Sequence, residues 1–178
     1  NLGSNIGDSN EKVKKNREIL GNIIGAKVFW MNQFHSSIVE LINKDKELYD
    51  SDGIYTAEKN IACAVLTADC IPILASSSDS KIIGSAHAGW RGLAIGILEN
   101  FFSKFLSTYL QSKGHCKKNE IINIWLGPAI CKNCYSVGNN VRLNFLKNDI
   151  TTKKYFSMIS EDKWLCDLKG IAKKKIKD

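Results

Sequence analysis

The sequence predicts an α/β (α+β) sandwich, a single domain of mixed sheets with flanking helices. Short apolar runs such as residues 61–67 alternate with stretches of helical period such as residues 93–110. Hairpin turn signals are few, which argues against an all-β fold. A length of 178 residues with 44% hydrophobic content suits one well-buried core and not two full domains. There is no internal repeat and no low-complexity linker, so residues 1–178 are expected to form one domain.

Residues 1–8, with two glycines and two asparagines, read as a loop. A helix is expected over residues 10–23. Asn10 serves as its N-cap, Glu11 lies in its first turn, Val13, Ile19, Leu20 and Ile23 fall on one side, and Gly21 and Gly25 bracket its end. Residues 27–34 read as a strand through Val28, Phe29 and Trp30, running into Asn32-Gln33-Phe34-His35. Asp50-Ser51-Asp52-Gly53 is a turn signal. Residues 61–67 form a continuous apolar run, the pattern of a strand buried on both faces, and deliver Asp69 and Cys70. Pro72 lacks a backbone donor and fits a strand end, edge or bulge, with Ile73-Leu74-Ala75 resuming a strand before a turn at 76–80. Residues 81–86 form a further strand that delivers His87. Gly89 and Gly92 flank Trp90-Arg91 and suggest tight backbone approach. Helical period begins at Leu93, with Ile97, Phe101 and Phe105 at spacing four and Gly114 as C-cap. A strand over 121–126 ends at Gly127-Pro128, a short helix follows over 139–146, an edge strand over 164–168, and a basic helix from Lys169.

Composition narrows the function classes. The net charge of +7 invites nucleic acid as a partner, but the basic residues are spread along the chain, and all but Arg17, Arg91 and Arg142 are lysines. The densest run, Lys173-Lys174-Lys175, reads as a solvated helix face, so no nucleic-acid partner is expected. No apolar run reaches membrane-spanning length, and the opening residues lack a secretory pattern, so neither a membrane partner nor export is expected. The six cysteines then read as reduced thiols, which places the protein in the cytoplasm. The chain opens without Met, and further residues are expected beyond both ends. Cys63 lies in an apolar run and is expected in the core. Cys131-x2-Cys134 with His115-Cys116 has the ingredients of a structural zinc site, but the second half of a paired-ligand pattern is missing, and His115 and Cys116 are adjacent.

His35, Cys70 and His87 are the candidate metal ligands. Each follows an apolar run and precedes Ser, Ile-Pro or Ala-Gly. Catalytic zinc takes three such ligands and keeps a fourth position open for water or substrate. On spacing alone two histidines and a cysteine are weak, because a lone histidine is usually a hydrogen-bonded structural residue. Zinc is favoured over copper, since a redox-active copper cluster would need many more histidines than three.

Thr67-Ala68-Asp69-Cys70-Ile71-Pro72 and His87-Ala88-Gly89-Trp90-Arg91-Gly92 resemble the two signature blocks of the YfiH-like laccase-domain family, also called the multicopper polyphenol oxidase or peptidoglycan editing factor family. Asn1-Leu2-Gly3, Asn32-Gln33-Phe34-His35, Asp52-Gly53 and Gly127-Pro128-Ala129-Ile130 match its other blocks in order. The resemblance implies the family's α/β sandwich and one zinc held by His35, Cys70 and His87. It implies phosphorolysis of adenosine, inosine, guanosine and methylthioadenosine, and deamination of adenosine. The partners so implied are a small nucleoside and phosphate. It also brings the assignment, made for a bacterial member, of removing misincorporated serine from a cell-wall precursor. The chain departs from the family in lacking an Arg and glycine-pair motif before Asn1 and an Arg- and aromatic-rich C-terminal block, and in carrying Ser136 where Glu is common.

Asp69 is the carboxylate nearest the ligands in sequence; it is either a proton shuttle or a turn-capping residue that holds a ligand. Arg91 is the best visible phosphate binder, with the backbone through Gly92 beside it. Gln33 is either a base or ribose contact or a structural amide. A non-catalytic zinc-binding module is the alternative from another class.

Overall fold

A computed structural model describes residues 1–4, 6–113 and 122–178. In chain order it contains α1 (Asn10–Ile24), β1 (Lys27–Met31), β2 (Val39–Leu41), β3 (Leu48–Tyr49), β4 (Gly53–Thr56), β5 (Ile61–Cys63), β6 (Ile71–Ser77), β7 (Ile83–Ala88), α2 (Trp90–Ala94), α3 (Ile97–Lys113), β8 (Ile122–Leu126), β9 (Ser136–Gly138), α4 (Asn139–Asn148), a 3-10 turn (Ile150–Tyr155), β10 (Phe156–Ser160), β11 (Lys163–Cys166) and α5 (Leu168–Lys177). The expected Gly114 C-cap, the His115-Cys116 pair and the first residue of the 121–126 strand lie outside the described residues.

Among the described residues the strands form a mixed five-stranded sheet ordered β2-β4-β7-β6-β8, a parallel β3-β1-β5 sheet and an antiparallel β10-β11-β9 sheet. In β4 alternate side chains serve two cores. Tyr55 joins the larger core, which contains Phe101, Phe105, Phe145 and Ile171, while Ile54 joins a smaller one with Phe29, Met31, Tyr49 and Ile61. This two-sided burial of the central sheet is the α/β sandwich expected from sequence. Helix α3 lies across β2, β4 and β7. Gly84 of β7 makes that approach possible: a Cβ there would sit 2.8 Å from Phe101 Cζ.

Several elements differ from the expectations. Ser9 stands at the N-cap position of α1 in place of Asn10, and its carbonyl accepts the first helical bond from Val13. The strand expected over 61–67 stops at Cys63, and only Ile61 of it is buried. Pairing with β1 ends at Phe29↔Cys63, with the Ala64 amide donating to the Phe29 carbonyl at 2.9 Å, and at Leu66 the hydrogen bonds go to the Gln33 side chain. Pro72 lies inside β6 and does not end a strand. It sits opposite His87 on one side, and on the other its carbonyl accepts from Gly127, at the last step of the β8 ladder. A strand residue's N–H and C=O point the same way, so the missing proline donor faces the margin of that ladder. Strand β7 runs through His87 to Ala88. The helical stretch starts at Trp90 and is divided at Gly96, whose φ of 96° no ordinary helix residue adopts. The strand expected at the edge over 164–168 is β11, the centre of its sheet. The basic run on α5 is partnered: Lys174 meets Asp149 at 2.8 Å and Lys175 meets Glu99, while Ile171 and Ala172 bury the other side. No helix is long and apolar enough to cross a membrane, among the described residues.

Candidate metal centre

The site is assembled around a carboxylate. Asp52 ends the loop before β4 and is completely buried. One oxygen accepts from the backbone amide of His35 at 3.1 Å and meets Nδ1 of His87 at 2.8 Å. The other accepts from the amide and hydroxyl of Ser36 at 2.6 and 2.7 Å and from the amide of Phe34 at 3.3 Å. Burial alone would raise the Asp52 pKa, but the bonds from His87 and Ser36 outweigh it and hold the group below the usual carboxylate range.

These bonds place two of the three ligands. His35 follows β1 in a loop and has a φ of 65°, a left-handed backbone that costs a non-glycine residue about 1–3 kcal/mol. The Asp52 carboxylate holds that loop by three successive amides. His87 lies in β7, is 4% exposed, and presents Nδ1 to Asp52, which leaves Nε2 to face the site. Cys70 comes from the residue just before β6. The register Ile71↔Ala88 sets it beside the start of the Gly89 turn. Its Sγ is 3.8 Å from His35 Nε2, and the two imidazoles meet edge to face at a centroid distance of 4.8 Å. The three ligand atoms all lie within 4.8 Å of one another.

Gly89 closes the constellation from behind. A Cβ there would lie 2.8 Å from Cys70 Sγ and 2.8 Å from His35 Cδ2, so only glycine allows this approach. The donor set of one thiol and two imidazoles, one imidazole oriented by a carboxylate, is that of a transition-metal site, and it fits zinc. Burial, followed by the neighbouring His87, lowers the His35 pKa and favours the neutral, ligating imidazole. Burial also opposes a charge on His87, but hydrogen bonds to Asp52 and Cys70 prevail and push it to about 9 without a metal.

The other expected residues fall into two groups. Arg91, in the first turn of α2, is exposed, packs its guanidinium 4.5 Å from the Trp90 ring centre, and is near enough to His35 to bias its titration. Asp69 is exposed at the rim, and its carbonyl accepts from Ile130 at 3.0 Å. Gln33 uses both ends of its amide on Leu66, donating to the carbonyl at 2.7 Å and accepting from the amide at 2.9 Å. It clamps the segment between β5 and Cys70, a bond pattern that suits a structural amide. Gly92 is buried, with the Ser36 carbonyl 3.0 Å from where a Cβ would stand, so its part is packing α2 against the ligand loop.

Two members escaped sequence reasoning. Asp52 was visible as part of a turn signal and of a block resembling the family's, but with no role beside the ligands. Tyr135 is half-buried; burial, then the nearby Cys166 and Cys70, push its phenol up to about 12 while Arg91 pulls it down. It is therefore a neutral hydroxyl beside the metal ligands.

Comparison with known proteins places the whole chain in one family. The family model for multi-copper polyphenol oxidoreductase laccase matches residues 1–178. A protein named purine nucleoside phosphorylase YfiH, from Escherichia coli (strain K12), is 33% identical over 180 residues, covering 99% of this chain and 69% of that protein. Purine nucleoside phosphorylase RC0672 from Rickettsia conorii is 34% identical over 172 residues, 94% of this chain and 67% of its own length. Among solved structures, Neisseria meningitidis protein NMB0706 superposes with a TM-score of 0.85 at 32% identity, covering 99% of this chain and 69% of that one. YlmD from Geobacillus stearothermophilus gives a TM-score of 0.79 at 25% identity, covering 99% and 68%. With its fold, its His35/Cys70/His87 constellation and a match over its whole length, this chain belongs to the multi-copper polyphenol oxidoreductase laccase family, the family of YfiH.

Proposed function

We propose that this protein is a zinc-dependent purine nucleoside phosphorylase of the cytoplasm, with zinc held by His35, Cys70 and His87. The observation that carries the reading is the convergence of those three ligand atoms within 4.8 Å, with Asp52 fixing the His87 tautomer behind them. The names of the relatives give the reaction class. Zinc is chosen over the copper of the family's description because the site offers one thiolate and two imidazoles, and the sequence holds three histidines in all.

In phosphorolysis a phosphate oxygen bonds to the anomeric carbon as the bond from that carbon to the purine nitrogen breaks. The products are ribose 1-phosphate and the free base. Bound zinc supplies a Lewis acid at this point. Arg91 binds the phosphate with its planar donor fork, held in place by stacking on Trp90. Tyr135 donates a hydrogen bond as a neutral phenol, and the Asp69 carboxylate at the rim relays a proton from water to the departing base. Asp52 touches no substrate. It is a positioning residue that keeps Nδ1 of His87 protonated and Nε2 free.

Adenosine deamination is a second reading, because a mixed His and Cys zinc site is also the donor type of zinc deaminases. Product analysis separates the two. With adenosine and phosphate, phosphorolysis yields adenine and ribose 1-phosphate and stops when phosphate is withheld. Formation of inosine without phosphate would establish deamination instead.

A further inference from the structure

The Cys131–Cys134 pair is absorbed by none of the chemistry above. Cys131-Lys132-Asn133-Cys134 forms a tight turn in which the amides of Cys134 and Tyr135 both donate to the Cys131 carbonyl, at 3.0 and 3.1 Å. The turn folds the two side chains together: the sulfurs are 2.9 Å apart, and both residues are exposed. Joining them needs a movement of under about 1 Å, since a disulfide bond is about 2.05 Å long. Two thiolates chelating one tetrahedral zinc stand farther apart, at roughly 3.7 Å for Zn–S bonds of about 2.3 Å.

We propose that Cys131 and Cys134 form a thiol–disulfide exchange site that reacts with small-molecule disulfides. The Cys131 sulfur attacks one sulfur of the external disulfide, forming a mixed disulfide and releasing one thiol. The Cys134 sulfur then attacks Cys131 Sγ, closing the intramolecular bond and releasing the second thiol. The protein loses two electrons and two protons, and both go to the external disulfide, which leaves as two thiols. The two cysteines are not equivalent. The hydrogen bond shared between the two sulfurs, then the Asn133 amide, lower the Cys131 pKa, while the same shared bond raises that of Cys134. Cys131 is thus the attacking sulfur and Cys134 the resolving one. Burial pushes the thiols of Cys63 and Cys166 up to about 12, which leaves them unreactive in the same exchange. The site lies at the margin of the metal centre, since Cys134 directly precedes Tyr135 and Ile130 is bonded to the Asp69 carbonyl.

The test is incubation of the zinc-loaded full chain with oxidised glutathione at pH 8, followed by alkylation and peptide mapping. Wild type is expected to lose two alkylatable thiols, with a disulfide mapped to Cys131 and Cys134. Cys134→Ser should retain a glutathione adduct on Cys131, formed at least tenfold faster than the adduct on Cys134 in Cys131→Ser. Full alkylation of both cysteines in wild type under excess oxidised glutathione would overturn the proposal, as would a faster adduct on Cys134. A second equivalent of zinc, held by wild type and lost in Cys131→Ser, would also overturn it by making the pair a metal site.

Discussion

Asp52 and His87 are joined twice. The Asp52 carboxylate meets His87 Nδ1 at 2.8 Å, and the Asp52 carbonyl accepts the His87 amide at 2.7 Å. The second bond extends the β4–β7 ladder by one step past Gly53↔Ala86, so the orientation of the imidazole is set by strand pairing as well as by charge. The same carboxylate gathers the amides of Phe34, His35 and Ser36. Asp52→Ala leaves these donors unpartnered in the interior, and we expect a loss of about 3–5 kcal/mol in unfolding free energy by chemical denaturation. Asp52→Asn keeps the shape but loses the charge, and zinc affinity, read by chelator competition, should fall about 10- to 100-fold.

The ionisation of His87 predicts a pH dependence that zinc removes. In metal-free protein its pKa is raised from the usual 6.5 to about 9. The stabilisation is fully present below about pH 6.5 and is lost as pH rises through about 9, an effect of roughly 3 kcal/mol. Metal-free protein should therefore lose denaturation stability between about pH 6.5 and 9, whereas zinc-loaded protein should not follow that profile. A metal-free protein as stable at pH 9.5 as at pH 6.5 would show that the Asp52–His87 pair does not hold that proton.

Zinc binding must displace the His87 proton, so it competes with acid. Apparent zinc affinity should fall at least tenfold for each pH unit below about 9, where His87 in the free site is protonated. Chelator competition across pH 6 to 8 reads this slope, and a flat profile would contradict it.

Gly89→Ala places a methyl group 2.8 Å from both Cys70 Sγ and His35 Cδ2. Overpacking of this kind costs about 1–3 kcal/mol. Here the displaced groups are ligands, so zinc affinity should drop by at least tenfold with the circular dichroism spectrum unchanged. Retention of wild-type zinc affinity would place the metal elsewhere.

Arg91 is assigned to phosphate. Arg91→Ala should raise the KM for phosphate more than tenfold, with a smaller change in the KM for nucleoside. Arg91→Lys should recover only part of that loss, because a lysine offers no planar fork and does not stack on Trp90 in the same way.

The three candidate ligands stood out in the sequence for a physical reason. A metal donor after an apolar run stands out chemically, and His35, Cys70 and His87 are three such residues brought together by the folded chain. Their support was not legible. Asp52 sits in a stretch whose Asp-Ser-Asp-Gly composition reads as a solvated turn, and only the pairing of β4 with β7 buries it. Strands β2, β3 and β4, two to four residues long, carry too few positions for a period to emerge, and they form through partners distant in sequence. The apolar run at 61–67 looked like one long strand because periodicity cannot reveal that Gln33 takes the Leu66 hydrogen bonds. Pro72 left strand end, edge and bulge all open because sequence does not show which neighbour its missing donor faces. The buried side of the long helix was legible, since Ile97, Phe101 and Phe105 repeat over enough turns to fix it, while the break at Gly96 was not.

The central claim is that His35, Cys70 and His87 hold one zinc that the reaction needs. The most direct test measures zinc content and adenine release from adenosine plus phosphate for wild type, Cys70→Ala and His87→Ala, purified in parallel. The account predicts about one zinc per wild-type chain with phosphate-dependent adenine release, and loss of both in each variant while the fold persists. Full zinc and full activity in Cys70→Ala and His87→Ala would contradict it.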